Sequence, residues 1–300
     1  MPTTDEITKS WGTLSDKYTS LKMTWKQKAH YTGHVGTTLR ESIRELQAGA
    51  KRGGNPNPVV VNQNEYRHEN TFTFLWANGP WRLEKSGLTV LISHPEPVPD
   101  HWTLVFNGQE TTSLQSPSLL PQHQARIDID QRRPDIDASI FRRIGNHLLG
   151  ATNEIVGVFK LDDFQLSAGQ AIQGMKTIQA KKIDPMTKDE TKYVFVPKLG
   201  YAIAELTSGK KEKLYVRYQA EFDPKSKVPF IPTSWKYEVH DDGKLYSSHT
   251  NTLESLSLNA PVPDGAFKLT FPPGTLVSDR RAERKPKRYT VPDAKPPEKQ

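Results

Sequence analysis

The sequence predicts a mainly β protein with some α-helix, in which one antiparallel sheet curls into an incomplete barrel beneath two helices. Extended runs separated by short turns follow one another through residues 193–279. A second group of such runs, within residues 71–106, carries aromatic residues on one face. Two amphipathic helical stripes accompany these strands, one at the N-terminus and one in the middle of the chain. Short antiparallel strands with a few covering helices indicate the α+β class.

The first helix begins near Thr3 or Thr4, either of which can cap it, and Asp5 and Glu6 suit its positive first turn. Its large apolar residues recur at helical spacing and form one stripe: Ile7, Trp11, Leu14, Tyr18 and Leu21. Side chains of this size stabilise by about 1.5–3 kcal/mol each when buried, so the stripe must lie on an apolar surface. The helix is either part of the core or a lid over a cavity.

The first group of strands begins where the helical period ends. Residues 21–29 alternate apolar and polar, which is typical of a half-buried strand. Residues 37–58 are interpreted as an insertion that holds a short helix and a Gly/Asn/Pro loop. Asn78-Gly79-Pro80 predicts a hairpin within residues 71–84, and a further strand follows at residues 101–106. These strands form a meander with one aromatic face.

The middle of the chain separates the two groups of strands. Residues 114–133 are polar and carry prolines, which predicts a connection. Asp137 is the predicted cap of a second amphipathic helix, which ends at Gly150.

The second group of strands contains no helix. Its predicted runs are residues 171–179, 192–197, 201–206, 213–222, 232–240 and 244–258, followed by a last run that turns at Pro272-Pro273-Gly274. Leu253 is out of parity with Leu256 and Leu258, and a bulge near Glu254 explains this difference. A bulge also helps a sheet to curl.

The net charge of +7 resides largely in residues 280–300. We assign residues 1–279 to one domain and residues 280–300 to a basic, Pro-rich, disordered tail, whose pattern allows a short strand at residues 289–291. The tail suits either a solubilising role or contact with anionic lipid head groups. It lacks a recognition helix and aromatic stacking residues, so we expect no nucleic-acid partner.

The sequence nominates no catalytic group, metal site or cofactor. It has no cysteine, which excludes disulfides and thiolate chemistry, and it contains no His-Glu-x-x-His, P-loop or dinucleotide fingerprint. Histidines such as His68 and His101 are predicted to lie at the surface. An acidic cluster could hold calcium, but its two neighbouring arginines offer ion pairs instead: Asp128, Asp130, Asp135 and Asp137, with Arg132 and Arg133.

Several motifs resemble the LolA-like superfamily, the outer-membrane lipoprotein carrier fold, and more narrowly its exported bacterial paralogues without an assigned function. They are ITKSWGTLSDKYTSLKMTWKQK, FLWANGPWRLEKSG, TLVFNGQETTSL, YVFVPKLGYAIAEL and LNAPVPDGAFKLTFPPGTLVSD, in this order along the chain. The resemblance implies an incomplete barrel with helices as a lid and a periplasmic or envelope location. The chain differs from the carriers in the insertion at residues 37–58, the basic tail and the absence of a recognisable signal peptide.

From the resemblance and the aromatic faces we expect a monomeric, non-enzymatic protein that holds a lipid, an acyl chain or a lipidated protein. The candidate residues of its apolar cavity are Trp11, Trp25, Phe72, Phe74, Trp76, Arg82, Trp102, Phe106, Tyr218, Trp235 and Tyr237. The alternatives are a structural or interaction module with a filled core and, less favoured, a metal-assisted hydrolase.

Overall fold

The computed structural model describes residues 1–15, 17–34, 40, 41, 44, 45, 48, 65–89, 96–116, 122–129, 161, 163–210, 215–226, 228–281 and 286–293. Helix α1 comprises Thr4–Ser15. The strands are β1 (Ser20–Tyr31), β2 (Tyr66–Ala77), β3 (Trp81–Ser86), β4 (Leu88–Thr89), β5 (Val98–Pro99), β6 (Trp102–Phe106), β7 (Glu110–Gln115), β8 (Gln124–Ile129), β9 (Gln165–Ile172), β10 (Met175–Ile183), β11 (Glu190–Val196), β12 (Ala202–Gly209), β13 (Tyr215–Glu221), β14 (Ser234–Asp241), β15 (Lys244–Leu258), β16 (Leu276–Asp279) and β17 (Lys287–Thr290).

Strand β1 lies at the centre of a 15-stranded sheet. The sheet order is β17-β16-β8-β7-β6-β3-β2-β1-β15-β14-β13-β12-β11-β10-β9. One meander runs from β1 towards β8, and a second begins at the far edge with β9 and returns until β15 pairs with β1. The sheet is therefore curled and open, with β9 and β17 at its edges, and does not close into a barrel.

The predicted bulge at Glu254 is confirmed. Thr24 pairs with Ser255 and Trp25 pairs with Leu253, so Glu254 is the extra residue of β15. The bulge places Leu253 on the same face as the next two leucines of the strand. We call the face that carries Trp25 the inner face and the opposite face the outer face.

The main hydrophobic core lies on the inner face. Helix α1 contributes Ile7, which is fully buried, and Tyr18 follows the helix with its ring 5.8 Å from that of Phe230. The loop between β13 and β14 adds Val228 and Ile231 to the same core. Among the side chains that the structure describes, the N-terminal helix thus contributes Ile7 to the inner-face core.

A second, smaller core lies on the outer face near β8. Ala125 and Ile127 of β8 pack there with Val277 of β16, and Phe271 lies against them. The connection of residues 259–275 reaches this end of the sheet across the outer face, because the Arg82 guanidinium on β3 donates a hydrogen bond to the Ala266 carbonyl at 3.3 Å. Strand β16 then pairs with β8 in parallel, whereas all other strand pairs are antiparallel.

Several predicted elements need correction. The region predicted as a connection, residues 114–133, contains all of β8 and the end of β7. The run at residues 171–179 is a hairpin of β9 and β10, turning at Gln173 and Gly174, which both have positive φ. Most of the last predicted strand run, the part that precedes β16, belongs to the connection of residues 259–275 that crosses the outer face. The tail carries the short strand that its pattern allowed, beginning at Lys287.

The prediction of two covering helices is not supported. The predicted second helix, residues 137–150, lies outside the described residues. In the inserted segment, the described residues Arg40, Glu41, Arg44, Glu45 and Ala48 are helical.

We expect Gly87→Ala to destabilise the fold by about 2–4 kcal/mol. Gly87 has φ +153, and an added Cβ would lie 2.7 Å from the Glu69 carbonyl oxygen and against the Asn70 side chain. That amide cannot move without breaking its 2.8 Å hydrogen bond from the Leu88 N–H. Gly174→Ala is the matched control, because its φ of +72 carries the conformational strain but its Cβ would meet nothing within 4 Å. Urea denaturation measures both, and equal losses would contradict the close approach at Gly87.

Candidate functional site

The inner face of the three central strands changes from apolar to polar along the strand direction. The pairing of β2, β1 and β15 arranges inward side chains in six successive rows. The first three rows form the apolar half: Trp76, Leu21 and Leu258, then Phe74, Met23 and Leu256, then Phe72, Trp25 and Leu253. The next three form the polar half: Asn70, Gln27 and Asn251, then His68, Ala29 and His249, then Tyr66, Tyr31 and Ser247.

The apolar half brings together the aromatic residues named from the sequence. Trp25 stacks on Phe72 with ring centroids 5.1 Å apart, and its ring lies 5.8 Å from that of Trp235. Phe72 in turn meets Trp102 edge to face at 6.4 Å. By strand register, the predicted residues on this face are Trp25, Phe72, Phe74, Trp76, Trp102, Phe106, Tyr218, Trp235 and Tyr237.

Arg82 does not belong to this group. It alternates with Trp81 and Leu83 on β3 and therefore lies on the outer face. There its guanidinium forms a 2.6 Å ion pair with Glu84, in addition to the hydrogen bond to Ala266. The backbone of Trp11 belongs to α1, but its side chain lies outside the part of the chain that the structure describes.

A row of three side-chain amides separates the two halves. The Asn70 amide donates to the Gln27 carbonyl oxygen at 3.1 Å, and the Gln27 amide donates to that of Asn251 at 3.2 Å. The Asn251 amide also donates to the backbone carbonyl of His249 at 3.2 Å. Asn70 and Asn251 are buried, and this network satisfies polar groups that burial would otherwise leave costly.

Beyond the amides, two histidines flank the small side chain of Ala29. The Tyr31 ring stacks on His68 at 5.8 Å and meets His249 edge to face at 5.6 Å. His68 is only 8% exposed, and its Nδ1 has no hydrogen-bond partner among the described residues. His249 and Tyr31 are half-buried.

Burial keeps these groups uncharged near neutral pH. It lowers the pKa of His249 to about 4, with the charges of His68 and Lys85 acting in the same direction. Burial, followed by the charge of Lys85, lowers the pKa of His68 as well. Burial raises the pKa of Tyr31 to about 12. Desolvation disfavours the charged form in each case.

One nearly buried ion pair lies beside this cluster. The Lys85 ammonium is 2.6 Å from the Asp100 carboxylate, and the two side chains are 11% and 10% exposed. The Gln115 amide donates a further, long hydrogen bond of 3.5 Å to Asp100. The positive and negative charges balance, so the polar half as a whole is close to neutral.

The sequence analysis missed the polar half and placed His68 at the surface, which is wrong. The position of His68 near a strand end suggested exposure, but pairing with β1 turns it inward. A signal was present in the sequence as a repeated His-x-Asn-Thr, at residues 68–71 and 249–252. Because β2 and β15 both pair antiparallel with β1, the two copies lie in the same rows on either side of it.

A shallow groove of about 530 Å³ lies over the same strands and is lined mostly by outer-face residues: Lys28, His30, Arg67, Glu69, Ser248 and Thr250. Ala29 and His68, whose side chains belong to the inner face, also border it. The groove carries both positive and negative side chains, and these are largely paired, since Lys28 lies 3.7 Å from Glu69 and Arg67 lies 2.8 Å from Glu65. The groove therefore favours neither anionic nor cationic ligands.

The described ranges contain no group of three or more His, Cys, Asp or Glu placed to hold a metal ion. Asp128 of the predicted acidic cluster pairs with Arg126, and the other three aspartates lie outside the described residues. No described helix is both long and apolar enough to span a membrane.

No protein-family model matches the sequence, and no curated protein matches it. The structure is similar to that of a LolA superfamily protein. That protein, from Nitrosomonas europaea, is 11% identical, and the alignment has a TM-score of 0.42 and covers 90% of this chain and 99% of that one. A second similar structure is the beta-barrel-like protein of a domain of unknown function, DUF1849, from Brucella abortus, with 6% identity, a TM-score of 0.26 and coverage of 80% and 98%.

The resemblance that the motifs suggested thus recurs as a similarity of structure.

We expect the free energy of unfolding to fall as the pH is lowered from 6.5 to about 4. The unfolded chain protonates its histidines below 6.5, whereas folded His249 takes up a proton only near 4, so protonation favours the unfolded state across this window. A shift of this size corresponds to about 3 kcal/mol, and His68 adds in the same direction. Urea denaturation across the window should show a smaller pH slope in His249→Gln than in the wild type. The control Thr250→Ala changes an exposed outer-face position of the same strand without removing a titratable group, so it should keep the wild-type slope. Equal slopes in all three proteins would contradict the assignment.

We expect Lys85→Met to destabilise the protein by about 3–5 kcal/mol, because it leaves the Asp100 carboxylate buried without a counter-charge. Adding Asp100→Leu should restore most of this loss, since no uncompensated charge then remains. Lys182→Met removes an exposed pair with Asp163 and should change stability little. Thermal denaturation of the four proteins provides the comparison, and a double variant no more stable than Lys85→Met would refute the pairing argument.

Proposed function

We propose that this protein is a non-enzymatic binding or carrier protein, whose apolar half holds a lipid, an acyl chain or the acyl chain of a lipidated protein. The proposal rests on one observation. Beside the fully buried core, two groups of inner-face side chains are only half-buried: Phe72, Trp102, Leu104 and Phe106 on β2 and β6, and Leu253, Leu256 and Leu258 on β15.

Half-buried apolar side chains on adjacent strands form a surface that an apolar chain can cover. β3 separates β2 from β6 but places Leu83 on the same face, so Phe72, Leu83 and Leu104 are lateral and diagonal neighbours. Each Å² of apolar surface removed from water contributes about 25 cal/mol. A ligand that covers such a surface needs few polar contacts, and an acyl chain meets this condition.

Helix α1 belongs to the same proposal as the element that moves. It contributes Ile7 to the core of the inner face, and its first turn is held by a reciprocal cap in which the Thr3 N–H donates to Glu6 at 2.7 Å and the Glu6 N–H donates to Thr3 at 3.2 Å. Movement of this helix away from the sheet would release the ligand. An envelope location, a monomeric state and contact of the basic tail with anionic membranes are further parts of the proposal.

A structural or interaction module with a filled core is the second candidate. It is favoured by the burial of Trp25, Tyr218 and Trp235, which are 2–3% exposed and leave little room between them. In that case the half-buried residues would be the margin of a packed core and no ligand would enter.

We expect a neutral fluorescent probe of apolar sites, N-phenyl-1-naphthylamine, to bind the wild type and to be displaced by dodecanol. Phe72→Ala should weaken binding of the probe by about tenfold, the effect of removing much of one aromatic contact surface. Leu75→Ala is the matched control, since it also removes apolar volume from β2 but on the outer face.

Fluorescence titration measures these affinities, with circular dichroism to confirm that each variant is folded. Absence of probe binding by the folded wild type would support the filled-core candidate instead. Equal weakening in both variants would show that the probe does not lie on the inner face.

A further inference from the structure

We propose that the polar half of the inner face binds the neutral, hydrogen-bonding end group of the same ligand, such as an ester, an amide or a hydroxyl. This inference rests on the proposed function, because it requires an apolar chain on the neighbouring apolar half. It narrows the ligand from any apolar molecule to an amphipathic one with an uncharged polar end.

The register of the central strands supplies the first step. Residues on one face of a strand succeed one another at about 7 Å. The last apolar row, with Trp25 at its centre, is therefore followed one step later by the amide row centred on Gln27 and two steps later by the histidine row. A chain lying along the apolar half brings its end group to these rows without a bend.

The hydrogen-bonding capacity of the histidine row is the second step. The Nδ1 of His68 is buried and without a partner among the described residues, although buried polar atoms are normally satisfied. Ala29, the smallest side chain of the six rows, lies between the two histidines. Tyr31 and His249, both half-buried, lie beside it within ring contact of each other. A neutral imidazole and a phenol offer both a donor and an acceptor to a ligand.

The charge balance of the polar half is the third step. Lys85 and Asp100 neutralise each other at 2.6 Å, and both histidines are uncharged near neutral pH. A carboxylate or a quaternary ammonium entering this site would bring a charge with no counter-charge, which burial penalises strongly. An ester, amide or hydroxyl meets the same hydrogen-bonding groups without that penalty.

The test compares ligands that share one chain and differ in the end group. Dodecanol, monododecanoylglycerol, dodecanoate and dodecyltrimethylammonium compete with N-phenyl-1-naphthylamine at neutral pH. We expect the two neutral ligands to bind at least about tenfold more tightly than the two charged ones. Equal affinities for all four would overturn this inference while leaving the proposed function intact. Failure of the probe and of every ligand to bind would overturn both.

Two variants test whether His68 contacts the end group of the neutral ligands. His68→Phe should weaken binding of the two neutral ligands by about tenfold, because it removes the unpartnered nitrogen but keeps an aromatic ring on Tyr31. His30→Phe, one residue from Ala29 but on the outer face, should preserve the wild-type preference. Nitrogen-15 NMR of the histidine rings in the wild type gives a readout independent of folding of the variants. Binding of monododecanoylglycerol should shift the ring signals of His68, and unchanged signals in the saturated complex would refute the inference.

Discussion

The pairing of β1 with β15 is the interaction on which the rest of the structure depends. It joins the beginning of the chain to the end of the second meander, with Leu21 opposite Leu258 and Tyr31 opposite Ser247. Without it the two meanders would be separate sheets, each with an additional exposed edge. Because β1 also pairs with β2 along its full length, one strand carries the register of both halves. The entropic cost of closing so long a loop is recovered by the apolar rows that the pairing brings together.

Register then decides the chemistry of the inner face. Side chains alternate between the faces of a strand, so a slip of one residue would exchange Trp25 for Lys26 in the core. The bulge at Glu254 absorbs one residue and thereby keeps Leu253 in the apolar half while Asn251 remains in the amide row. The Glu254 carboxylate points outward and lies 2.7 Å from the Lys26 ammonium. Because of this one extra residue, the apolar residues of β15 align with the apolar residues of β1 and β2, and its polar residues align with theirs.

The two halves of the inner face follow different physical rules. The apolar half is stabilised by contact area and tolerates partial exposure, as Phe72 and Trp102 show. The polar half is stable only because its amides bond to one another and its ion pair is closed, as a partly satisfied polar network in this environment would be destabilising. The unpartnered nitrogen of His68 is therefore out of keeping with its surroundings, and it lies where an amphipathic ligand would end. Under the proposed function, the same three strands serve both fold stability and ligand selection.

The sequence by itself determined the local elements and the face of most residues. Alternation in residues 21–29, the turn at Asn78-Gly79-Pro80 and the parity of Leu253 were sufficient for β1, the first hairpin and the bulge, because each depends on neighbours within a few residues. The same reasoning failed for the polar strand β7, for β8, whose short alternation of polar and apolar residues was not recognised, and for Arg82, whose parity within β3 places it on the outer face. Only the tertiary structure decided that β1 is central and that His68 and His249 face each other across Ala29. The physical reason is that hydrogen-bond register between strands far apart in the chain, and not any local pattern, determines which side chains share a row.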